Sequence, residues 1–432
     1  MDAFVITCLV IAGVVVSFAL MKHPRAAIVL WLIVMIAVPS WISVKVVTSL
    51  SPLNFTFLLL VPAILHAANQ RLSKVDLLLG GFVVSVSVAF AFLSTPQYAF
   101  ATVFVQWLAG YWVGRYLAPA AGKEWVYRAV AIAATVVGIW AIAEFAFSLH
   151  LFENFAGTDA SAGWQKIQIR GAFARSEGAW GHSIAMGAFL ALGLPFVIAS
   201  KFAPVRKTLM IAAVCGGVIV TFSRGALIGA LIVFVACVIF LPGTSLGRKT
   251  RQFFFALLVL VAVTLVPYLL SVFDSLSYDL DPSTQYRADL TKYIFEDMHA
   301  LGPADQMNLL PNGRYFYRMI FGSIDNTYVL TILQFGWVPT ALLGAGLVAV
   351  IFRVLIRRGG PADIAMFGQI WVMGTVALIT QYGMAVWFCA GMAVAFGIRD
   401  NARSGRTPLP PELAHKHPSG SAHHHVAEPI TK

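Results

Sequence analysis

Residues 208–241 read TLMIAAVCGGVIVTFSRGALIGALIVFVACVIFL, thirty-four positions whose only charged side chain is Arg224. Ser223-Arg224-Gly225 splits the stretch into two apolar runs, 208–222 and 225–241, and small or polar residues at such a break make a tight turn. The stretch therefore reads as a helical hairpin inside a bilayer. From Lys207 to Ser223 is sixteen steps, roughly 24 Å of helix against a hydrocarbon core of ~30 Å. The turn is predicted to sit below the membrane surface, where non-helical backbone is buried in protein or lines a wet cavity. An arginine at that depth calls for an anionic partner. One reading is an outward-opening anion site. The other is that Arg224 snorkels to lipid phosphates or pairs with Glu144 or Asp325.

The same pattern fills the rest of the chain. Of 432 residues, 59% are hydrophobic and 11% charged, against roughly 45–50% and about 25% in an average soluble domain. The mean hydropathy is +0.81. This excludes a water-soluble globular enzyme, a disordered protein, a collagen and a disulfide scaffold. The four cysteines, Cys8, Cys215, Cys237 and Cys389, lie inside apolar runs at spacings that fit no zinc or redox motif. The net charge of +11 is scattered over short loops, which is not a nucleic-acid surface. Apolar runs at 3–21, 26–44, 50–67, 77–94, 98–118, 128–149, 180–199, 208–222, 225–241, 252–272, 326–352, 363–380 and 383–398 predict an all-α polytopic membrane protein of about 12–13 spans. They form one domain over 1–400. The first run has no positive charge before it and does not resemble a signal peptide. The polar, Pro- and His-rich tail 401–432 reads as a disordered cytoplasmic end rather than a metal site.

Lysines and arginines mark the sidedness. Alternate junctions are basic, from Lys22/Arg25 and Arg71/Lys74 to Arg353/Arg357/Arg358, and with the tail they hold 21 of the 30 Lys and Arg residues. By the positive-inside rule these junctions are cytoplasmic. The N-terminus is then outside, the C-terminus inside, and the expected location is the bacterial cytoplasmic membrane. Two long loops, 150–179 and 273–325, fall on the external side and carry many aromatic residues. Within the second, residues 284–301 place Tyr286, Leu290, Ile294 and Met298 four apart, which fits either an interfacial helix or a lid over the arginine site.

The spans carry almost no ionisable groups, Glu144 near an outer end and Arg115 near an inner end being the clearest. A proton pump or polar-solute symporter would need more. The stretch 243–250 has P-loop residue types at the wrong spacing and no preceding strand, so it reads as a basic turn. No cofactor is expected. The informative residues cluster instead before three helices that start on the external side, where free N–H groups and the positive dipole end favour phosphate. The first is preceded by Arg170, Arg175, Glu177, Gly181 and His182. The second is preceded by Ser223, a plausible N-cap, and begins at Arg224. The third follows Arg314, Arg318 and Asp325-Asn326. Each has a plain alternative. Arg170 and Arg175 fit ordinary surface charges, Arg314 and Arg318 headgroup anchors, Asp325 a helix cap, and His182 a structural polar residue.

In ordered combination, these residues resemble the O-antigen ligase and polymerase superfamily, membrane enzymes that transfer glycans in bacterial envelopes. Arg170, ten residues, then Gly181 is similar to the arginine–x10–glycine pattern of the polymerases. Ser223-Arg224-Gly225 resembles the family's Ser-Arg-Gly hairpin, and Asp325-Asn326-x-Tyr328 with Leu333 and Gly336 resembles its loop-to-helix junction. The similarity covers roughly 165–340. Ligases of the family carry a histidine at that junction, where this chain has Asp325, which tilts the expectation towards a polymerase. The resemblance implies a GT-C-like architecture and a donor oligosaccharide on polyprenyl diphosphate. It also implies a glycan acceptor, contact with membrane lipids, and no cofactor or metal. It leaves room for a chain-length regulator or flippase as partner. Arg224, Asp325 and Glu177 are then the expected catalytic residues, and Arg170, Arg175, Ser223, Arg314, Arg318 and Asn326 the expected substrate-binding residues. A ligase moving finished glycan onto a lipid, protein or wall acceptor is the alternative activity. A lipid or polysaccharide transporter is the alternative class.

Overall fold

The computed structural model describes residues 3–45, 49–68, 71–155, 157, 164–170, 173–241, 290, 293–309, 315–318 and 324–404. The expected span 252–272, most of the 284–301 segment, Arg314 and the tail from 405 lie outside these residues. Of the described residues, 76% are helical. The helices are α1 Ala3–Lys22, α2 Pro24–Ala37, α3 Pro52–Ala67, α4 Lys74–Phe92, α5 (97–121), α6 Lys123–Phe147, α7 Ser183–Ala199, α8 Pro204–Val220, α9 Arg224–Phe240, α10 Thr327–Phe335, α11 Trp337–Leu355, α12 Pro361–Met373 and α13 Thr380–Ser404. Among the described residues, three two-stranded antiparallel pairs decorate the loops: β1 Val44–Lys45 with β2 Ser49–Leu50, β3 Ile169–Arg170 with β4 Phe173–Ala174, and β5 Met307–Leu309 with β6 Tyr315–Tyr317.

Local chemistry sets the element ends. Proline opens α2, α3, α8 and α12, where its missing N–H costs nothing. Ser73 and Asp76 close a capping box on α4. The run expected as one helix over 326–352 is two, α10 and α11, because Gly336 between them adopts φ +93°, a conformation that ends a helix. The 26–44 run stops being helical at Ala37, ahead of Pro39. Helix α5 runs through two π turns, 103–107 and 113–117.

Among the described residues, four helices are long and apolar enough to cross a membrane: Lys74–Phe92, Lys123–Phe147, Trp337–Leu355 and Thr380–Ile398. Others are apolar but shorter. Helices α8 and α9 have 17 residues each, about 25 Å, as the spacing of Lys207 and Ser223 predicts. The arrangement is that of an all-α membrane protein. Its centre is α7, buried at every residue from Ala185 to Ile198 and surrounded by α6, α8, α9, α12 and α13. Helices α6 and α8 touch backbone to backbone: a Cβ on Gly138 would lie 2.5 Å from the Ala213 carbonyl oxygen. Small residues drive such approaches where burial of apolar surface distinguishes nothing from lipid.

The basic junctions meet at one end of the bundle. Arg25 Nε donates to the Ala121 carbonyl (3.2 Å), Arg115 reaches both Asp76 and the Arg71 carbonyl (2.9 Å each), and Lys201 pairs with Glu124 (2.6 Å). The opposite end carries the hairpin β3–β4 and the turn between α8 and α9.

Candidate functional site

A helix leaves its last carbonyls without intrahelical donors, and α8 ends inside protein. The strap 168–176 supplies the donors. Ser176 N–H reaches the Val220 carbonyl (3.4 Å), Arg175 Nε the Thr221 carbonyl (2.8 Å) and Arg170 Nη1 the Phe222 carbonyl (2.9 Å). Two guanidinium groups thus hold the negative end of α8, the favourable sense for its dipole. Hairpin β3–β4 fixes them there: Arg170 pairs in register with Phe173, whose ring stacks on Phe222 (5.8 Å, 11°). Gln168 ties the strap together, its carbonyl accepting from Arg175 N–H and its Oε1 from Arg175 Nη1 (3.3 Å) and Ser183 Oγ (2.9 Å). Burial, reinforced by Arg170, draws Arg175 down to about 10, still cationic at neutral pH. One residue past the turn, Ser223 caps α9 by accepting from Ala226 N–H (3.3 Å), and Arg224 opens that helix. Three arginines and the positive end of α9 therefore gather at one turn, which Ser223 and the strap keep rigid.

Carboxylates lie on the other side of the strap. Glu177 is only 5% exposed. Its Oε1 accepts from Gln168 N–H (2.7 Å). Burial first, then the neighbouring Glu144 charge, raise its carboxyl from 4.5 to about 7. Glu144, on α6, is also buried. Its Oε2 accepts from the backbone of Glu177 and Gly178, and its Oε1 lies 3.0 Å from His150 Nδ1. Glu144, His150, Glu153 and Glu177 line a small pocket with Trp41 and Trp164. Gly181 explains the glycine of the arginine–x10–glycine pattern. It adopts φ +62°, and a Cβ there would lie 2.6 Å from the Trp164 carbonyl oxygen and 2.7 Å from the Trp41 ring.

The other predicted residues are placed as follows. His182 caps α7, its Nδ1 accepting from Ile184 N–H (3.2 Å). The charges of Arg175 and Asp325 both act on its ring, so Asp325 belongs to the neighbourhood of the strap. Asp325 is exposed and is not the cap of the following helix. Asn326 is: its Oδ1 accepts from Tyr328 and Val329 N–H, and its Nδ2 donates to the Gly374 carbonyl (2.9 Å). Arg318 is held in the loop that precedes α10. It forms a bidentate pair with Asp297 (2.7 and 2.8 Å), a bridge to Glu296 (3.0 Å), and lies over the Tyr293 ring. Leu290 and Ile294, from the segment expected to be amphipathic, are buried with Tyr317, Ile324 and Leu333. These residues therefore pack in a small core that the loop shares with α10. Gln168, His150 and Trp41 carry no pattern that marks them in the sequence. Only the path of the strap over the helix ends brings them into the site.

No protein-family model matches this chain, and no curated protein does.

Proposed function

We propose that this protein is a membrane-embedded glycosyltransferase that polymerises oligosaccharide units carried on polyprenyl diphosphate, at the outer leaflet of the bacterial cytoplasmic membrane. The observation that carries the reading is the joining of Arg170 and Arg175 to the carbonyls of Phe222 and Thr221. It sets two cations beside Ser223-Arg224 and, across a short strap, beside a buried carboxyl with a pKa near neutrality. The acceptor hydroxyl oxygen attacks the anomeric carbon, and the bond from that carbon to the diphosphate oxygen breaks with its electron pair. Arg170, Arg175 and Arg224 stabilise the charge that develops on the diphosphate. The proton of the attacking hydroxyl goes to a carboxylate. Glu177 suits this step because a base is most effective when its pKa lies near the working pH. Asp325 is the second candidate. The prenyl chain has a matching surface in an apolar cleft lined from Thr327 and Tyr328 to Arg353 and Asp363.

Envelope glycans from a strain lacking the protein test the reading. Single repeat units left on the carrier in place of long chains are expected. Full-length chains stranded on the carrier would make it a ligase. Unchanged carrier-linked species would remove the transferase reading and leave transport. Arg224→Ala is expected to insert normally and abolish polymerisation.

A further inference from the structure

At the end of the bundle that carries the basic junctions, α8 opens without a cap. Its N-cap residue is Ala203, which has no side-chain acceptor, and its first turn holds no acidic residue. Pro204 brings no N–H, and the N–H groups of Val205 and Arg206 meet no acceptor among the described residues. The first turn instead carries two cations, Arg206 and Lys207, at the positive end of the helix dipole, where like charge is unfavourable. Helix α4 shows the ordinary arrangement, with Ser73 as its cap and Asp76 in its first turn. Lys207 is only 7% exposed. It shares a face of α8 with the buried Met210, Ile211 and Val214, so its stem is packed inside the bundle. It makes no hydrogen bond or ion pair with any described residue. Its amino nitrogen still reaches the surface, and a helical side chain leans towards the N-terminus, so the ammonium comes to the open end of α8. Glu124, at the start of the neighbouring α6, is engaged by Lys201 (2.6 Å). Arg206 is held at the same turn by the ring of Phe202, 4.7 Å below its guanidinium. A cation so far buried and without a counter-charge is costly, and an anion at the helix end removes that cost.

We propose that the N-terminus of α8 binds the phosphate of an anionic phospholipid, with the Lys207 ammonium, the Arg206 guanidinium and the free N–H groups of Val205 and Arg206 as donors. The apolar part of the ligand has its own surface. Val205 and Leu209, four apart and therefore on one face, are 73% and 66% exposed beside the turn, so an acyl chain lies along them. A soluble phosphate uses the donors and leaves that surface bare. A zwitterionic headgroup brings its own cation against Arg206 and Lys207, which favours a lipid of net negative charge. Lipid binding here is independent of the transferase reading, because Arg170, Arg175 and Arg224 stand at the opposite end of α8.

The thermal midpoint of the full-length protein in neutral detergent, followed against added phosphatidylglycerol, phosphatidylcholine, inorganic phosphate or glycerol 3-phosphate, tests this, since a ligand of the folded state raises the midpoint in proportion to its affinity. Phosphatidylglycerol is expected to raise it, and the other three to raise it less or not at all. Lys207→Met keeps the buried stem and removes the charge, and it is expected to weaken phosphatidylglycerol binding by about tenfold, the scale of one charge-assisted contact. Lys207→Arg is expected to retain binding. Arg206→Gln changes an exposed position and is expected to weaken binding in the same sense without touching the core. Lys74→Met, at the start of the capped α4, is expected to bind as wild type. Inorganic phosphate or glycerol 3-phosphate acting as strongly as phosphatidylglycerol would make this a free-phosphate site and overturn the lipid assignment. Equal shifts by phosphatidylglycerol and phosphatidylcholine, or wild-type binding by both Lys207→Met and Arg206→Gln, would overturn the site itself.

Discussion

The carboxylate of Glu144 holds the strap by its backbone, accepting the N–H of Glu177 at 3.2 Å and of Gly178 at 2.9 Å. One membrane-helix side chain thereby positions both the catalytic candidate Glu177 and the left-handed Gly178. Glu144→Ala leaves two buried donors and His150 without an acceptor, at about 1–3 kcal/mol per unsatisfied group. A marked fall in the thermal midpoint in detergent and loss of polymer in cells are expected. Glu144→Gln keeps one acceptor oxygen and should fall between Ala and wild type. Equal midpoints for Glu144→Ala and wild type would show that the strap does not depend on this contact.

Glu177 makes stability depend on pH in an uncommon direction. Its folded carboxyl lies at about 7, above the ordinary 4.5, so the folded state binds the proton more tightly than the unfolded state. The resulting stabilisation is full below the unfolded value and fades as pH rises from 4.5 through 7, a span worth about 3 kcal/mol. Glu177→Gln should flatten this part of the pH profile of the thermal midpoint. In the transferase reading, activity rises over the same range as Glu177 loses its proton, and Glu177→Gln removes that rise.

Gly181→Ala forces a side chain into the left-handed region, at roughly 1–2 kcal/mol. It also drives a Cβ to 2.6 Å from the Trp164 carbonyl oxygen and 2.7 Å from the Trp41 ring. Rigid backbone on one side and a buried indole on the other leave little room to yield. Reduced yield of folded protein and loss of polymer are expected. Gly80→Ala, where a Cβ meets nothing within 4 Å, is the matched control and should behave as wild type.

Arginines of the strap and of the loop should separate. Arg175→Lys keeps a charge but loses the planar fork that reaches both Thr221 and Gln168. Activity is expected to drop by about a hundredfold, the scale of losing one preorganised donor to a developing anion, with insertion unchanged. Arg318→Ala and Asp297→Ala each break the same pair and should give matching phenotypes, read as faster proteolysis within 293–318. Arg318 holds the Asp297 carboxyl below its ordinary range, so this loop contact persists at neutral pH and weakens as pH falls into the acid range where Asp297 protonates.

The membrane class, the hairpin at Ser223-Arg224-Gly225 and the two 17-residue helices around it follow from linear spacing. Bilayer thickness and helix rise are fixed lengths, so a count of residues becomes a depth. Arg170, Arg175, Glu177 and Arg224 stand out in the sequence for a related reason: charge is rare in so apolar a chain. What these residues hold was not legible. Carbonyls carry no sequence signature, so nothing in the chain says that Arg170 and Arg175 grip Phe222 and Thr221, or that Gln168 links them. Asn326, read as a substrate contact, is the cap that Asp325 was a candidate for, because capping is decided by backbone angles one residue apart. Arg318, read as a substrate contact or a headgroup anchor, turns to Asp297, about twenty residues earlier in the loop. Such partners are chosen by which surfaces the folded helices bring together, and the order of residues along the chain does not contain that distance.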